Sequence, residues 1–420
     1  MHRIYAALLA AASCAGFAQA QTVPQARAGG TLSLEEALAL AGRASPAIEA
    51  AGFDLGGAQA ARKAAGLRPN PSLSVEAENI AGTGVYRGLS SVEATTSLAM
   101  PIELGGKRGA RIAVADARAR RAKIQAAIVL ADMRFRVTGA YAGVIAAERR
   151  LATAREQGRI AAEASRAAES RVRAGRASPI EVQRAGVMRI NADAAIDRAA
   201  RLAEVARFEL ERAIGRPLGG TLDAAWFARV APSYGPIRPI ASAGTLALAA
   251  AEADLATADA GVRLARSQRV PDLTVSAGAR RLAATNDMAA VFSLSVPLPL
   301  FNGGEAALAQ ASAERQRADA ERRAREIEAD QAIARAQAEA ANAATLAASS
   351  NGPALAAAEE AARIARIGYR EGKFGQLDLL DAERMLADTR LSAIDALLAY
   401  HIAEAQLERL TARAPAAQGE

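Results

Sequence analysis

The chain has 420 residues, a formal net charge of +7, 51% hydrophobic residues and only 4% aromatic residues. A basic chain can bind nucleic acid, but here the arginines alternate with acidic residues along predicted helices, and no basic patch contains stacking aromatics. The composition therefore argues against a nucleic-acid partner. Much of the apolar content is alanine, the best helix former, so we expect a mostly helical protein. No run of about 18 apolar residues follows the N-terminal segment, so no transmembrane helix is predicted.

Residues 1–20 have the features of a secretory signal peptide. A short basic start precedes the apolar run Ile4–Ala12, and Ala18-Gln19-Ala20 forms an A-x-A cleavage site. Lipidation of Cys14 is an alternative, but Ala11 stands where a lipobox usually has leucine. Cleavage after Ala20 would remove the only cysteine, so we expect no disulfide and no cysteine-ligated metal site.

The rest of the chain contains the same sequence plan twice. Ser97–Gly106 is echoed by Ser293–Gly304, and Gly175–Val182 is echoed by Gly372–Leu379, each about 200 residues later. A unit of this length is too long for a solenoid repeat. We therefore predict two similar halves and an irregular connector rich in proline, followed by a short C-terminal tail. The predicted ranges are 21–214 and 243–412 for the repeats, 215–242 for the connector and 413–420 for the tail.

In the first half, a helix is expected over 34–67, with Ser33 and Glu36 forming a capping box and Pro46 kinking or dividing the helix. Two segments with period-two alternation, 72–78 and 92–100, predict a β-hairpin. Leu73 and its alternate neighbours lie on one face, and serine and glutamate lie on the other. Long helices follow, to about 174 and over 179–214.

The second half repeats this order. A helix is expected over 245–268, then two strands near 273–277 and 290–296, then helices over 304–367 and 376–410. The last helix carries apolar residues at spacings close to a coiled-coil heptad. The fold class is therefore α+β and mostly α, with long coiled-coil helices and four β-strands.

The four strands pose a physical problem, because each has one apolar face and one polar face. Strands of about ten residues can span an outer membrane, but an open four-stranded sheet leaves two unpaired edges, which lipid does not tolerate. Closure then requires several chains, and three chains would give a barrel of 12 strands. A soluble β-sandwich edge is the alternative for the strands, and a closed helical bundle remains an alternative for the helices.

The duplicated plan, the two hairpins, the Pro101 and Pro297 turns and the glycine-containing helix turns resemble TolC-like outer membrane efflux proteins. The segment from Glu78 through Val85-Tyr86-Arg87-Gly88 to Arg108 resembles the cobalt–zinc–cadmium resistance branch of that family. The resemblance implies a homotrimer in the outer membrane of a Gram-negative bacterium, with a 12-stranded barrel in lipid and an α-helical tunnel across the periplasm. It also implies two protein partners, a periplasmic adaptor and an inner-membrane transporter of the RND type.

The resemblance further assigns residues to the entrance at the periplasmic end of the tunnel. Acidic residues ring this entrance in the family, and the match falls on Asp378, Asp381 and Glu181. Tyr369 matches a tyrosine that helps to hold the entrance closed. Phe374 stands where some relatives carry arginine, so the lock between arginine and acid is expected to be missing.

The residues themselves predict the two turns at which these positions lie. Ser178 is a predicted N-cap, with Pro179 at the first helical position and an acid three residues after the cap. Gly175 and Gly372 are expected to end the preceding helices in a left-handed conformation, and by resemblance the tip residues also face the adaptor. Asp378 and Asp381 have a simpler alternative role, which is to favour a helix N-terminus through the dipole.

No catalytic motif is found, and no cofactor is predicted. His401 is the only histidine after the signal segment, and it is expected to be a packed or surface helix residue, because no second ligand completes a metal site. The predicted function is an outer-membrane exit duct for divalent heavy-metal cations. A channel for drugs or for type I protein secretion is one alternative, and a periplasmic adaptor or coiled-coil structural protein is another.

Overall fold

The computed structural model describes residues 30–231 and 239–415. The predicted signal peptide, Cys14 and the end of the C-terminal tail lie outside these residues, as does part of the connector. The helices are α1 (Leu34–Ala44), α2 (Pro46–Ala65), α3 (Lys107–Arg173), α4 (Pro179–Ile214), α5 (Ala224–Ala228), α6 (Leu246–Gln268), α7 (Glu305–Ser349), α8 (Leu355–Arg370) and α9 (Gln376–Thr411). The strands are β1 (Ser72–Glu78), β2 (Glu93–Ile102), β3 (Leu273–Leu282) and β4 (Asp287–Ser295).

The start of the first repeat follows the predicted capping chemistry. The Ser33 backbone N–H donates to the Glu36 carboxylate at 3.0 Å, and the Glu36 N–H donates to the Ser33 hydroxyl at 3.2 Å, which completes a capping box. Pro46 divides the predicted helix, because Ser45 ends α1 and caps α2 with Pro46 at its first position.

The four strands form one antiparallel sheet in the order β1-β2-β3-β4. Directly opposite residues share a face, and the row Leu73, Leu98, Ala277 and Phe292 crosses all four strands on the predicted apolar side. Phe292 is 79% exposed in the single chain. The predicted faces are therefore confirmed, and the pairing of β2 with β3 joins the two repeats into one sheet.

Gly278 allows this central pairing to be close. A β-carbon at this position would lie 2.3 Å from the carbonyl oxygen of Thr96 and 2.7 Å from the α-carbon of Ser97. Both are backbone atoms and cannot move aside without separating β2 from β3, so glycine is required here.

The structure corrects the prediction that Pro101 marks a turn. Pro101 lies inside β2, opposite Thr274 of β3, and the turn follows at Gly105 and Gly106, which both have positive φ. Strand β1 begins at Ser72, opposite Ala99, so beyond Ala99 the strand β2 has a hydrogen-bonded neighbour on one side only. Proline is tolerated where a strand is an edge, because its missing N–H then costs no ladder bond.

The long helices form two open rows. Near the sheet, the helices pack side by side in the order α2, α3, α6 and α7. Far from the sheet, the order is α4, α3 and α9, and α9 then packs against α7 and α8. Helices α3 and α7 begin directly after a strand, so the rows extend from one end of the sheet. Each row ends in helices that lack a partner on one side within the described chain.

The predicted continuous helix over 304–367 is wrong. It is interrupted by one π-helical segment, Ser350–Ala354, in which Gly352 has φ −107° and ψ −105°. Pro353 explains the break, because it has no backbone N–H and its ring clashes with the carbonyl of the residue four positions earlier. The corresponding helix of the first repeat, α3, runs unbroken for 67 residues.

The connector docks on the helices through a cluster of aromatic side chains. Trp226 stacks on His401 with ring centroids 4.0 Å apart, and the His401 Nε2 donates to the carbonyl of Phe227 at 2.9 Å. Tyr141 is fully buried, donates to the Leu32 carbonyl at 2.6 Å and accepts from the Asp223 N–H at 2.8 Å. His401 is thus a packed helix residue, and burial lowers its pKa.

We predict that stability falls on acidification because of His401. Its folded-state pKa lies below the unfolded value of about 6.5, so the stability it contributes is present above that pH and is lost as pH falls. Thermal unfolding followed by fluorescence of Trp226, the only tryptophan, should show a lower midpoint at pH 5 than at pH 7.5. His401→Gln should flatten this dependence, and an equal dependence in both proteins would contradict the assignment.

Candidate functional site at the helical tip

The two turns far from the sheet have the same backbone construction. Gly175 and Gly372 have φ of 68° and 73°, as predicted for left-handed helix ends. The Arg176 N–H donates to the Arg171 carbonyl at 2.8 Å, and the Lys373 N–H donates to the Gly368 carbonyl at the same distance. Each turn therefore closes its helix with a Schellman-type bond, and the duplication is preserved at the level of the backbone.

The first turn departs from the predicted capping box. Ser178 occupies the N-cap position and Pro179 the first helical position, but the Ser178 side chain makes no capping hydrogen bond. Glu181 does not reach back to Ser178, because its carboxylate faces Arg171 instead. The Glu181 Oε2 atom lies 3.6 Å from Arg171 Nη1, is buried and has no hydrogen-bond partner.

In the second turn, Asp378 acts as a cap. Its Oδ2 accepts from the Gly375 N–H at 2.8 Å, so one oxygen serves the start of α9 in the way the simpler alternative predicted. Asp378 and Asp381 are both exposed. Asp381 also lines a groove of about 520 Å³ with Asp388 and Arg384, beside the break that precedes α8.

Phe374 has a structural contact that the sequence did not reveal. A β-carbon at Gly368 would lie 2.2 Å from the Phe374 ring, so the ring covers the bare α-carbon of that glycine. Phe374 therefore packs within its own hairpin, where the resemblance suggested only a missing arginine. Tyr369, the next residue, is half-buried near the end of α8.

An ion pair binds α8 to α9 above this turn. Glu383 is 2% exposed, and Arg366 donates to both of its carboxylate oxygens, with Nη2 2.7 Å from Oε2. This hydrogen bonding raises the pKa of the Arg366 guanidinium. The sequence analysis did not predict this pair. Arg366 and Glu383 are separated from the turn by similar numbers of residues, which is the spacing that places two residues opposite each other in an antiparallel helix hairpin.

Arg171 connects the two turns. Its Nη1 donates to the Gln376 side-chain oxygen at 3.2 Å, which joins the end of α3 to the first residue of α9. The structure thus brings Glu181 and Gln376 together around Arg171. Among the described residues, no side-chain hydrogen bond or ion pair joins Asp378, Asp381 or Tyr369 to the first turn. Sequence analysis did not single out Arg171 or Gln376.

Neither a metal centre nor a membrane-spanning helix is found in the described parts of the chain. No group of three or more histidine, cysteine, aspartate or glutamate residues there is arranged to hold a metal ion. No helix within 30–231 or 239–415 is long and apolar enough to cross a membrane. At the tip, the carboxylates of Asp378 and Asp381 in the second turn are exposed, and Arg171 joins the two turns.

Comparison with known proteins identifies the family. The model of the family "Outer membrane efflux protein" matches residues 37–216 and 239–413. The chain belongs to this family. Among curated relatives, the cobalt-zinc-cadmium resistance protein CzcC of Cupriavidus metallidurans is 31% identical over 392 residues, with 92% of this chain and 91% of that protein covered. The nickel and cobalt resistance protein CnrC of the same species is 34% identical over 304 residues, covering 69% of each.

Solved structures show the same fold at low identity. Crystal structures of CusC match with a TM-score of 0.74 and 17% identity, covering 90% of this chain and 92% of that one. The outer membrane protein VceC from Vibrio cholerae matches with a TM-score of 0.72 and 19% identity, covering 90% and 96%. These structures show that the chain has the TolC-like fold. The family match makes it an outer-membrane efflux channel that extends into the periplasm and belongs to a non-enzymatic family.

We predict unequal costs for breaking the ion pair between α8 and α9. Arg366→Ala leaves a carboxylate buried without a partner, which costs about 3–5 kcal/mol, whereas Glu383→Gln leaves an arginine whose side chain is 44% exposed and can reach water. Limited proteolysis of the second turn and the thermal midpoint should both show Arg366→Ala as the weaker protein. Arg363→Ala, which removes an exposed arginine on the same helix, is the control. Equal effects of the two pair variants would contradict this explanation.

Proposed function

We propose that this channel is the outer-membrane exit duct of a tripartite pump of the RND type that exports divalent heavy-metal cations. The observation that carries the choice of substrate is the similarity along most of the chain to proteins named for cobalt, zinc, cadmium and nickel resistance. Membership in the efflux family removes the adaptor and structural alternatives. Drug efflux and type I protein secretion remain the competing functions.

The open edges of the fold support assembly with further copies of the chain. The helices at the ends of the rows, α2, α4 and α7, carry exposed apolar residues, among them Phe53, Ile190, Phe208 and Ile327, with exposures from 58% to 72%. In addition, β1 and β4 each have one unpaired edge. Stacking the same row and sheet in a closed ring buries both kinds of edge, and TolC-like channels form trimers, so we propose a homotrimer with 12 strands in outer-membrane lipid.

The tip acids support a role at the entrance. Three copies of Asp378 and Asp381 would place six carboxylates around one opening, with Glu181 nearby on the first turn. Rings of carboxylates attract cations and repel anions. The capping bond of Asp378 uses only one of its oxygens, so a capping role and a ring role are compatible. We propose that the tip, including Gly175, Ser178, Tyr369, Gly372 and Phe374, also meets the periplasmic adaptor.

The ring hypothesis is tested by removing charge without changing shape. The double substitution Asp378→Asn and Asp381→Asn should lower the selectivity for cations over anions in planar bilayers, while trimers persist in detergent. Glu321→Gln with Glu328→Gln removes the same charge from exposed positions on α7 and should leave selectivity unchanged. Selectivity that is equal in all three proteins would exclude the acids as the determinant.

The choice of substrate is tested in cells. A deletion strain, with and without the restored gene, should lose resistance to one or more of Zn, Co, Cd, Ni and Cu and keep resistance to hydrophobic drugs. Restoration by the intact gene controls for effects on neighbouring genes. Sensitivity to drugs alone would keep the channel but reject metal export.

A further inference from the structure

We propose that Arg280, bound by Glu78 and Glu93, is a selectivity residue at the outer end of the duct, and this inference rests on the proposed function. The three residues are named the outer charge cluster. They lie on the sheet, at the opposite end of the molecule from the acidic residues of the helical tip. Two carboxylates hold the guanidinium against the wall, so that the mouth of the lumen stays negative and lets cations leave.

The register of the sheet places the cluster on its polar face. The apolar row passes through Leu98 and Ala277, and because side chains alternate along a strand, Glu93 and Arg280 point to the other face. Glu78 lies directly opposite Glu93 and therefore shares that face. A barrel in lipid turns its apolar face outward and its polar face toward the lumen. In the assembled channel, the three charged side chains then line the lumen.

The cluster lies at the end of the sheet away from the helices. Glu78 is the last residue of β1 and Glu93 is the first residue of β2. Arg280 lies near the end of β3, whereas α3 and α7 begin at the other end of the sheet. Because the helices extend into the periplasm, the cluster belongs to the extracellular mouth of the lumen.

Charge on the polar face is confined to this mouth. The polar-face positions nearer the helices are uncharged, as Ser74, Ser97 and Ser276 illustrate. The charged residues of this face occupy the last two rows of paired residues and are Glu76, Glu78, Glu93, Arg280 and Asp287. A cation that has passed the helical tunnel therefore meets fixed charge again only where it leaves the barrel.

Arg280 connects three strands. Its Nη1 donates to Glu93 Oε2 at 2.8 Å, and its Nε donates to the Thr95 hydroxyl at 2.9 Å, both on β2. Its Nη2 lies 3.3 Å from Glu78 Oε2 on β1. Two acids directly opposite each other destabilise an antiparallel pair. The guanidinium contacts both carboxylates and offsets their repulsion, so the contacts keep its charge on the wall.

The cluster has two carboxylates for one guanidinium, which leaves one negative charge per chain. The side chains of Arg280, Glu93 and Glu78 are 32%, 28% and 45% exposed, so ions in the lumen can approach them. Rings of acids favour cations in pores, and rings of arginine favour anions. Arg280 without its two partners would form a ring that repels a departing cation, whereas the cluster as a whole attracts it.

The experiment measures the selectivity of the full-length protein for cations over anions in planar bilayers under a KCl gradient. Arg280→Gln leaves two negative charges per cluster and should raise the ratio of cation to anion permeability. Glu93→Gln leaves a neutral cluster and should lower the ratio. Glu78→Gln with Glu93→Gln leaves one positive charge and should lower it further, several-fold below the unmodified channel. Adding Arg280→Gln to this pair should return the ratio to that of Glu93→Gln.

Arg281→Gln is the matched control. Arg281 is the next residue and loses the same charge, but it lies on the apolar face, opposite Ala94 and Met288. Its hydrogen bond goes to the Asn286 side chain at 3.4 Å and not to the cluster. This substitution should leave the selectivity unchanged, so a rise with Arg280→Gln that Arg281→Gln reproduces would contradict the proposal.

The direction of the shifts separates a selectivity role from a purely structural one. A structural role predicts that Arg280→Gln and the Glu78, Glu93 pair variant both weaken trimers in detergent without moving selectivity in opposite directions. If the unmodified protein conducts and these opposite shifts are absent, the selectivity role is overturned and the channel stands. If the unmodified protein forms no conducting assembly, the proposed function itself fails. If Arg280→Gln does not assemble, the two glutamine variants decide, since they remove the repulsion between Glu78 and Glu93.

Discussion

The fold depends on one constraint, which is that neither the sheet nor the helical rows are complete in a single chain. Four strands with one apolar face cannot close into a barrel, and each row of helices ends in helices that carry exposed apolar residues, such as Phe208 on α4. A soluble monomer would bury these surfaces on itself. Helices α3 and α7 begin at the same end of the sheet. A ring of chains that pairs the free strand edges therefore also brings the end helices of neighbouring chains together, so one rotational symmetry can bury both kinds of surface.

Periodicity made most of the fold predictable. The period of two in the strands and the long helical stretches set the element order, and cross-strand pairing confirms the predicted faces. The errors occur where one residue overrides a pattern. Pro353 breaks a helix that its alanine-rich neighbours would otherwise continue, and the Gly352-Pro353 pair was a signal in the sequence that the prediction overlooked. Pro101 is tolerated inside a strand because β1 does not extend as far as this position. The place of Pro101 depends on the extent of a neighbouring strand, which a single sequence does not show.

The candidate site was predictable only in part. Glycine and proline at fixed offsets located both turns, because left-handed helix ends and first-position prolines are local requirements. Side-chain partners were not local. Arg171 and Gln376 are 205 residues apart, and Glu383 is an acid in a helix full of charges until its burial against Arg366 is known. The Phe374 ring illustrates the same limit, since comparison by position suggested a lost lock and the structure shows a packing contact with Gly368.

Duplication gives one chain two turns at the tip that share a backbone construction but differ in their side-chain contacts. Equivalent backbone turns at Gly175 and Gly372 hold the tip geometry in both repeats, while the side chains around them have diverged. The second hairpin is closed on itself by an aromatic ring and a buried ion pair, and the first extends an arginine across to it. A conduit needs no catalytic group, and we propose that its selectivity arises from charge at the opening. The contact of Arg171 with Gln376 joins the two turns at the tip, far from both the aromatic cluster around His401 and the sheet.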